Sequence, residues 1–334
     1  MGCATSSQAG GSGGSDAVKE HDISGRELTA LPSKIPKNVE KLDCSQNQLA
    51  LLPDTIVELA MLKELDANDN ALTALPEVLV GCVALEKLLV YKNKIKALPP
   101  AFPPSLTELN FFNNLVRKLP DSIGELKCLE EVNFSANKLM MTNDKMFAGW
   151  ASVKVLNMYD NNLVRFGSLA PLVALEELRL HSNNLEELPT LPASAPELKI
   201  IEAHKNRIAA IKDDYFAGTP ALERISLWSN ALTALPSSLV ASPALVGMQV
   251  QENQLASVPG GLAWSPKLET VFLQSNSITT LPSELKACAS LKRVNLSKLQ
   301  LDGAGSEVAE AVKALCLAQS GGIFWGTDGA QQAA

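Results

Sequence analysis

A chain of 334 residues with 46% hydrophobic and 19% charged residues holds enough apolar material for a large core, and no apolar run approaches the eighteen residues of a membrane-spanning helix. The formal net charge of -7 at pH 7 argues against a nucleic-acid binder, which needs a basic stripe, and favours a protein partner. The start lacks a charged and apolar signal sequence, and Cys3, Cys44, Cys82, Cys128, Cys288 and Cys316 are scattered. The expected compartment is therefore the reducing cytosol, where the sequons at Asn133 and Asn295 stay idle.

Residues 1–20, MGCATSSQAGGSGGSDAVKE, are too polar and too rich in Gly and Ser to build a core, and read as a flexible leader. Its first residues fit N-myristoylation, with Gly2 as the acceptor amine and Ser6 four residues on, and Cys3 supplies an adjacent thiol for palmitoylation. One myristoyl chain binds membranes only marginally, with an association constant of about 10⁴ M⁻¹, so stable anchoring needs a second signal. No polybasic run is present in the leader, so a second acyl chain on Cys3 is the expected one. The expectation is a doubly acylated chain on the inner face of a membrane, with an unmodified leader as the alternative.

From residue 21 onward one phrase recurs, seen most fully in LERISLWSNALTALP at 222–236. Aligned on its asparagine it returns at Asn47, Asn70, Asn93, Asn114, Asn137, Asn161, Asn183, Asn206, Asn230, Asn253 and Asn276, in steps of 21 to 24 residues. Leu222, Ile225 and Leu227 begin a short strand with alternate side chains inward, and Leu232 and Leu235 line the same core from the turn beyond. No single repeat buries that set alone, whereas stacked neighbours do, with the strands side by side as one parallel sheet. The inward asparagine amide can donate to and accept from backbone groups of the turns, which predicts an asparagine ladder.

The phrase resembles the leucine-rich repeat, and Leu-Pro pairs such as Leu52-Pro53, Leu75-Pro76 and Leu119-Pro120 resemble its intracellular, Ras-group-related branch. The resemblance implies an α/β solenoid: a horseshoe of about twelve coils with a parallel β-sheet on the concave side and irregular or short-helical segments on the convex side. It also implies a scaffold or regulatory subunit for a small GTPase, kinase or phosphatase. The expected organisation is a leader at 1–20, a solenoid at 21–302, and a helical cap and tail at 303–334.

The ends of the array are degraded. Arg26 takes the asparagine position in the first coil and Leu299 takes it in the last. After Asn137 and Asn206 the Leu-Pro pair is missing, and Phe147 and Phe216 are expected to fill the convex layer there. Ser306 is a possible N-cap for a helix with Val308, Val312 and Leu315 on its buried face. Ile323, Phe324 and Trp325 either fold back on that cap or stay exposed for a partner.

The template also says which side chains leave the concave face. Two positions before each asparagine, and before Leu299 in the last coil, stand Ser45, Asn68, Tyr91, Phe112, Ser135, Tyr159, His181, His204, Trp228, Gln251, Gln274 and Ser297. With only three Tyr, three His and four Trp in the chain, such an aromatic centre points to a binding surface. From Tyr91 to Trp228 it spans roughly 29 Å, the size of a protein footprint. Arg179, Glu202 and Arg224 in the adjacent columns add polar and cationic anchors, and Asp43, Glu64 and Asp66 are expected to steer a basic partner. His181, His204 and Glu202 could be weighed as zinc ligands, but an open sheet does not close a tetrahedral shell and no metal is expected. With no phosphate-binding loop or nucleophile elbow, no cofactor and no enzymatic activity are expected.

Overall fold

A computed structural model of the protein describes residues 19–260 and 264–334. Gly2 and Cys3, and with them the acylation expectation, lie outside these residues. The chain forms two compact units, Met1–Asn162 and Leu163–Ala334.

The first unit holds seven three-residue strands: β1 Glu20–Asp22, β2 Lys41–Asp43, β3 Glu64–Asp66, β4 Lys87–Leu89, β5 Glu108–Asn110, β6 Glu131–Asn133 and β7 Val155–Asn157. Each pairs in parallel with the next, and the central residues meet one another: Leu42 with Leu65, Leu65 with Leu88, Leu88 with Leu109 and Leu109 with Val132. These side chains are fully buried or nearly so, as the inward positions of a strand buried by its neighbours must be. The return path begins at the Leu-Pro pairs. Pro53, Pro76 and Pro120, at φ -74, -67 and -73, each lead into a 3₁₀ turn, at Asp54–Glu58, Glu77–Gly81 and Asp121–Glu125. Proline fits because its locked φ suits the helix entry, where no N–H partner is lost.

Where Leu-Pro is missing the chain uses another device. Asn143 caps the turn Asp144–Phe147 by accepting from Lys145 N and Met146 N, and Phe147 packs edge-on against Trp150 at 5.2 Å. Trp150 in turn donates its indole N–H to Ile123 O at 2.9 Å. Both aromatics are completely buried, so this stretch is a packing variant. Gly124 makes room for it, since a Cβ there would lie 1.9 Å from Lys145 O.

The second unit continues with β8 Glu177–Arg179, β9 Ile200–Glu202, β10 Arg224–Ser226, β11 Gly247–Gln249, β12 Thr270–Phe272 and β13 Arg293–Asn295, all parallel. Phe216 is buried here too, in edge contact with Tyr215 at 4.9 Å. The cap is the helix α2, Gly303–Leu317, with a one-turn helix α1, Ser237–Val240, before it. Its N-cap is Asp302, whose Oδ1 accepts from Gly305 N at 2.7 Å, and not Ser306, which lies inside the helix. Val308, Val312 and Cys316 form the buried stripe, with Leu315 only half-buried. Ile323–Trp325 folds back as β14, parallel to β13, and β15 Gln331–Ala333 closes against it antiparallel.

The asparagine ladder is present and its wiring repeats. Asn93 Nδ2 donates to Ala67 O of the coil before at 3.0 Å and to Val90 O of its own coil at 3.1 Å, and its Oδ1 accepts from Leu72 N at 2.9 Å. Asn253 repeats this with Leu227 O, Val250 O and Leu232 N. The residue before each ladder position is left-handed, from Gln46 at φ 54 through Lys205 at φ 54 to Lys298 at φ 64. That conformation is costly for a side chain other than glycine. It persists because the same N–H is fixed to the next coil, as in Gln46 N to Asn68 O at 3.0 Å. Arg26, at the first ladder position, donates instead through Nη2 to Asp22 O at 2.6 Å.

Cys44, Cys82, Cys288 and Cys316 are free and buried. Burial pushes the Cys44 thiol up to about 12, which leaves it unreactive.

Candidate partner-binding face

In the second unit the outward positions of β8–β10 converge. Parallel strands in register are spaced close to the stacking distance of aromatic rings, so flat side chains at equivalent positions lie one over the next. His181 and His204 stack at 4.3 Å between centroids and 7° between planes, and His204 and Trp228 at 4.6 Å and 11°. Lys205 Nζ sits 4.9 Å from the Trp228 centroid, a cation–π contact. His204 Nδ1 faces Ser226 Oγ at 3.1 Å.

Burial, then the charges of His181 and Lys205, push His204 down from 6.5 to about 4. At neutral pH it is an uncharged ring in an aromatic stack. Arg179 spreads across its neighbours, with Nη2 at 2.5 Å from Glu177 Oε2 and Nε at 3.5 Å from Glu202 Oε2. Glu202 also lies 3.8 Å from His181 Nε2. The two imidazoles are stacked with nearly parallel planes, so their in-plane lone pairs do not converge on a common point. Among the described residues no group of three or more His, Cys, Asp and Glu is placed to hold a metal ion.

The first unit carries the other members of the column. Phe112 and Tyr159 face each other at 6.4 Å and 46°, and Ser135, in the coil between them, is wholly covered. Ser135 Oγ donates to Asn133 Oδ1 at 2.5 Å, and Asn133 also accepts from Ser135 N, closing a local turn. Ser45 and Asn68 are buried too, so this part of the column mixes small covered residues with large half-exposed rings. Tyr91 is one of those rings, its phenol pushed up by burial and then by Asp66, Asp43 and Asp69. The acidic residues expected to steer a basic partner are largely engaged. Asp43 accepts from Ser45 N at 2.9 Å, Asp66 from Asn68 N at 3.1 Å, and Glu64 pairs with Lys41 at 3.3 Å.

The column thus resolves into the pair Phe112 and Tyr159 in one unit and the stack His181, His204 and Trp228 in the other, the latter edged by Arg179 and Glu202. Arg224 is exposed at the start of β10. Sequence reasoning missed Lys205. The available signal was its place directly before a ladder asparagine, which the left-handed turn lifts toward the ring of the next coil.

The family model for the leucine rich repeat matches residues 129–185. The repeats are leucine-rich repeats. Lumican of Gallus gallus is 32% identical over 127 residues, covering 36% of this chain and 35% of lumican. Osteomodulin of Bos taurus is 25% identical over 137 residues, covering 40% of this chain and 32% of that protein. The chain thus spans about a third of the length of these curated relatives. Solved structures extend the likeness of fold. The leucine-rich repeat domain of APL1B gives a TM-score of 0.72 at 20% identity, covering 88% of this chain and 87% of that one. A leucine-rich repeat protein of Leptospira interrogans gives 0.65 at 24% identity, with 89% and 88% covered. The plant peptide hormone receptor RGFR1, solved in complex with RGF2, gives 0.63 at 19% identity, with 86% and 52% covered. The fold is a leucine-rich repeat solenoid.

Proposed function

We propose that this leucine-rich repeat chain is a non-enzymatic scaffold that binds a protein partner on the open face of its sheet, around His181, His204 and Trp228. The observation that carries the reading is the exposed edge of that aromatic stack. Internal packing does not require a half-exposed Trp beside two imidazoles and a lysine, whereas interfaces are enriched in rigid aromatic and arginine anchors with a polar rim. The likeness to RGFR1, solved with RGF2 bound, supports a repeat array that takes a protein or peptide ligand.

The finer reading places the chain in the Ras-group-related branch, tethered by myristate on Gly2 and palmitate on Cys3 to the inner face of a membrane, with a small GTPase, kinase or phosphatase as partner. The Gly2 and Cys3 pattern supports it. A regulatory subunit of a phosphatase or GTPase pathway is the nearest alternative, and would enrich one catalytic subunit in stoichiometric amount. A soluble module without an anchor is the other.

Two experiments test the reading. Tyr159→Ala with Trp228→Ala should weaken partner capture without unfolding the chain, and unchanged capture removes the proposed face. Intact mass of the protein from its own cells, with and without reductant, together with fractionation of Gly2→Ala and Cys3→Ser, tests the anchor. Two acyl increments and loss of membrane association in Gly2→Ala are expected. An unmodified N-terminus discards the tether and leaves the binding face standing.

A further inference from the structure

Beyond Trp228 the open face of β10–β13 sinks into a hollow of ≈ 400 Å³. Its floor is written in one column: the first residues of the four strands are Arg224, Gly247, Thr270 and Arg293. Two small residues therefore separate two long cations. Packing does not demand the glycine, for a Cβ at Gly247 would come no nearer than 3.9 Å to Arg224 Cγ and 4.0 Å to Thr270 Cβ. Gly218 is the contrasting case, where a Cβ would lie 2.6 Å from Ala193 O. A side chain at Gly247 would fit in ordinary contact, whereas Gly218 relieves a clash.

Charge gives a second, independent observation. Lys41, Lys63, Lys87, Lys154, Lys199 and Lys292, at or next to the strand starts, each have a carboxylate within 3.3 Å. Among the described residues Arg224 and Arg293 have no ion pair. The carboxylates at the rim are already engaged, Glu269 with Lys292 at 2.7 Å and Glu202 with Arg179 at 3.5 Å. The hollow is thus lined by unspent positive charge on a chain of net charge -7. Two rows along, the buried Oε1 atoms of Gln251 and Gln274 lack hydrogen-bond partners. Trp228 and Phe272 line the hollow as apolar walls.

We infer that the hollow receives an acidic side chain of the protein partner, held between Arg224 and Arg293 over Gly247 and Thr270. Three strand spacings, about 14 Å, separate the two arginines, a span that two extended arginine side chains close between them. Guanidinium is suited to this, since it grips a carboxylate through paired N–H donors. The inference rests on the open face as the partner surface and adds the chemistry of the anchor that enters it.

The test is a titration of the full chain, read at the arginine side-chain Nε–Hε resonances, with acetylated and amidated hexaglutamate. Hexaglutamine and inorganic phosphate serve as comparators. Saturable shifts at Arg224 and Arg293 are expected with hexaglutamate, with affinity reduced about tenfold in Arg224→Gln and in Arg293→Gln, the loss of one charge-assisted contact. Gly247→Glu should abolish the response by filling the hollow with its own carboxylate, while Arg207→Gln should leave it unchanged. Absence of saturation, equal affinity in the glutamine variants, or an equal response to hexaglutamine overturns the inference. A response to phosphate without one to hexaglutamate overturns it too. If Trp228→Ala abolishes partner capture while hexaglutamate fails to bind, the partner face stands and the acidic anchor falls. If hexaglutamate binds as expected but capture ignores Tyr159 and Trp228, the anchor stands and the aromatic face falls.

Discussion

Asn137→Ala is the sharpest test of what holds the coils together. Asn137 is 1% exposed. Its Nδ2 donates to Phe111 O at 2.8 Å, Phe134 O at 3.1 Å and Ser135 O at 3.1 Å, and its Oδ1 accepts from Val116 N at 2.9 Å. Counting four lost bonds would overstate the damage, because the carbonyls are shared. Phe111 O keeps Asn114 at 3.2 Å, Phe134 O keeps Asn161 at 2.9 Å, and Ser135 O keeps the amide of Asn113 at 3.0 Å. Only the Val116 N–H is orphaned, in a residue with no exposure. One buried unsatisfied donor costs about 1–3 kcal/mol, and that is the predicted loss. Asn137→Asp keeps the acceptor but turns a carboxylate toward three carbonyls, so at neutral pH it should cost more than alanine. Urea unfolding of the three proteins measures the order, and amide exchange at Val116 reads the local opening directly. Wild-type stability in Asn137→Ala, or unchanged protection at Val116, would refute the ladder as a stabilising element.

Other consequences follow from the same geometry. His204 is held down to about 4 from 6.5, so the unfolded chain takes up its proton first as pH falls. Stability should be full above about pH 6.5 and decline toward pH 4 by at most about 3 kcal/mol. His204→Phe should flatten that decline, and equal acid slopes for both proteins would contradict the assignment. Gly124→Ala pushes a Cβ against Lys145 O, a backbone atom that cannot swing away, and should cost about 1–3 kcal/mol. Gly303→Ala meets nothing within 4 Å, so it should leave the melting temperature unchanged or higher; equal effects of the two changes would count against the close approach. Removing residues 303–334 strips α2 and β14 from the last coil, baring the edge of β13 and the core behind Val308, Val312 and Cys316. Aggregation is expected, and a monodisperse truncation would show that the cap is dispensable.

The strands, their inward residues and the ladder were legible because each rests on a side chain that only one environment suits: Leu, Ile or Val at the buried alternation, and Asn where backbone needs both a donor and an acceptor. The left-handed residue before each ladder position was not legible, since Gln46, Asp69, Lys92 and Ala136 share no chemistry. Their conformation is imposed by the hydrogen bond to the next coil. The helix start was misplaced because Gly303, Ala304 and Gly305 look like a loop, while Asp302 caps them into the first turn. At the candidate site, Ser135 and Asn68 of the outward column show that outward is not the same as exposed. The hollow at Gly247 becomes visible only when strand register sets Arg224, Thr270 and Arg293 beside it.

The most direct test of the partner face is site-specific photocrosslinking in the native cell. A photoreactive phenylalanine analogue would replace Gln251, beside Trp228 on the open face, and in a second protein Ala210, on the exposed return path of the same unit. The account predicts a discrete protein adduct from position 251 that is lost when Trp228→Ala is added, and none from position 210. Adducts from position 210 with none from 251 would place the interaction elsewhere and contradict the central claim.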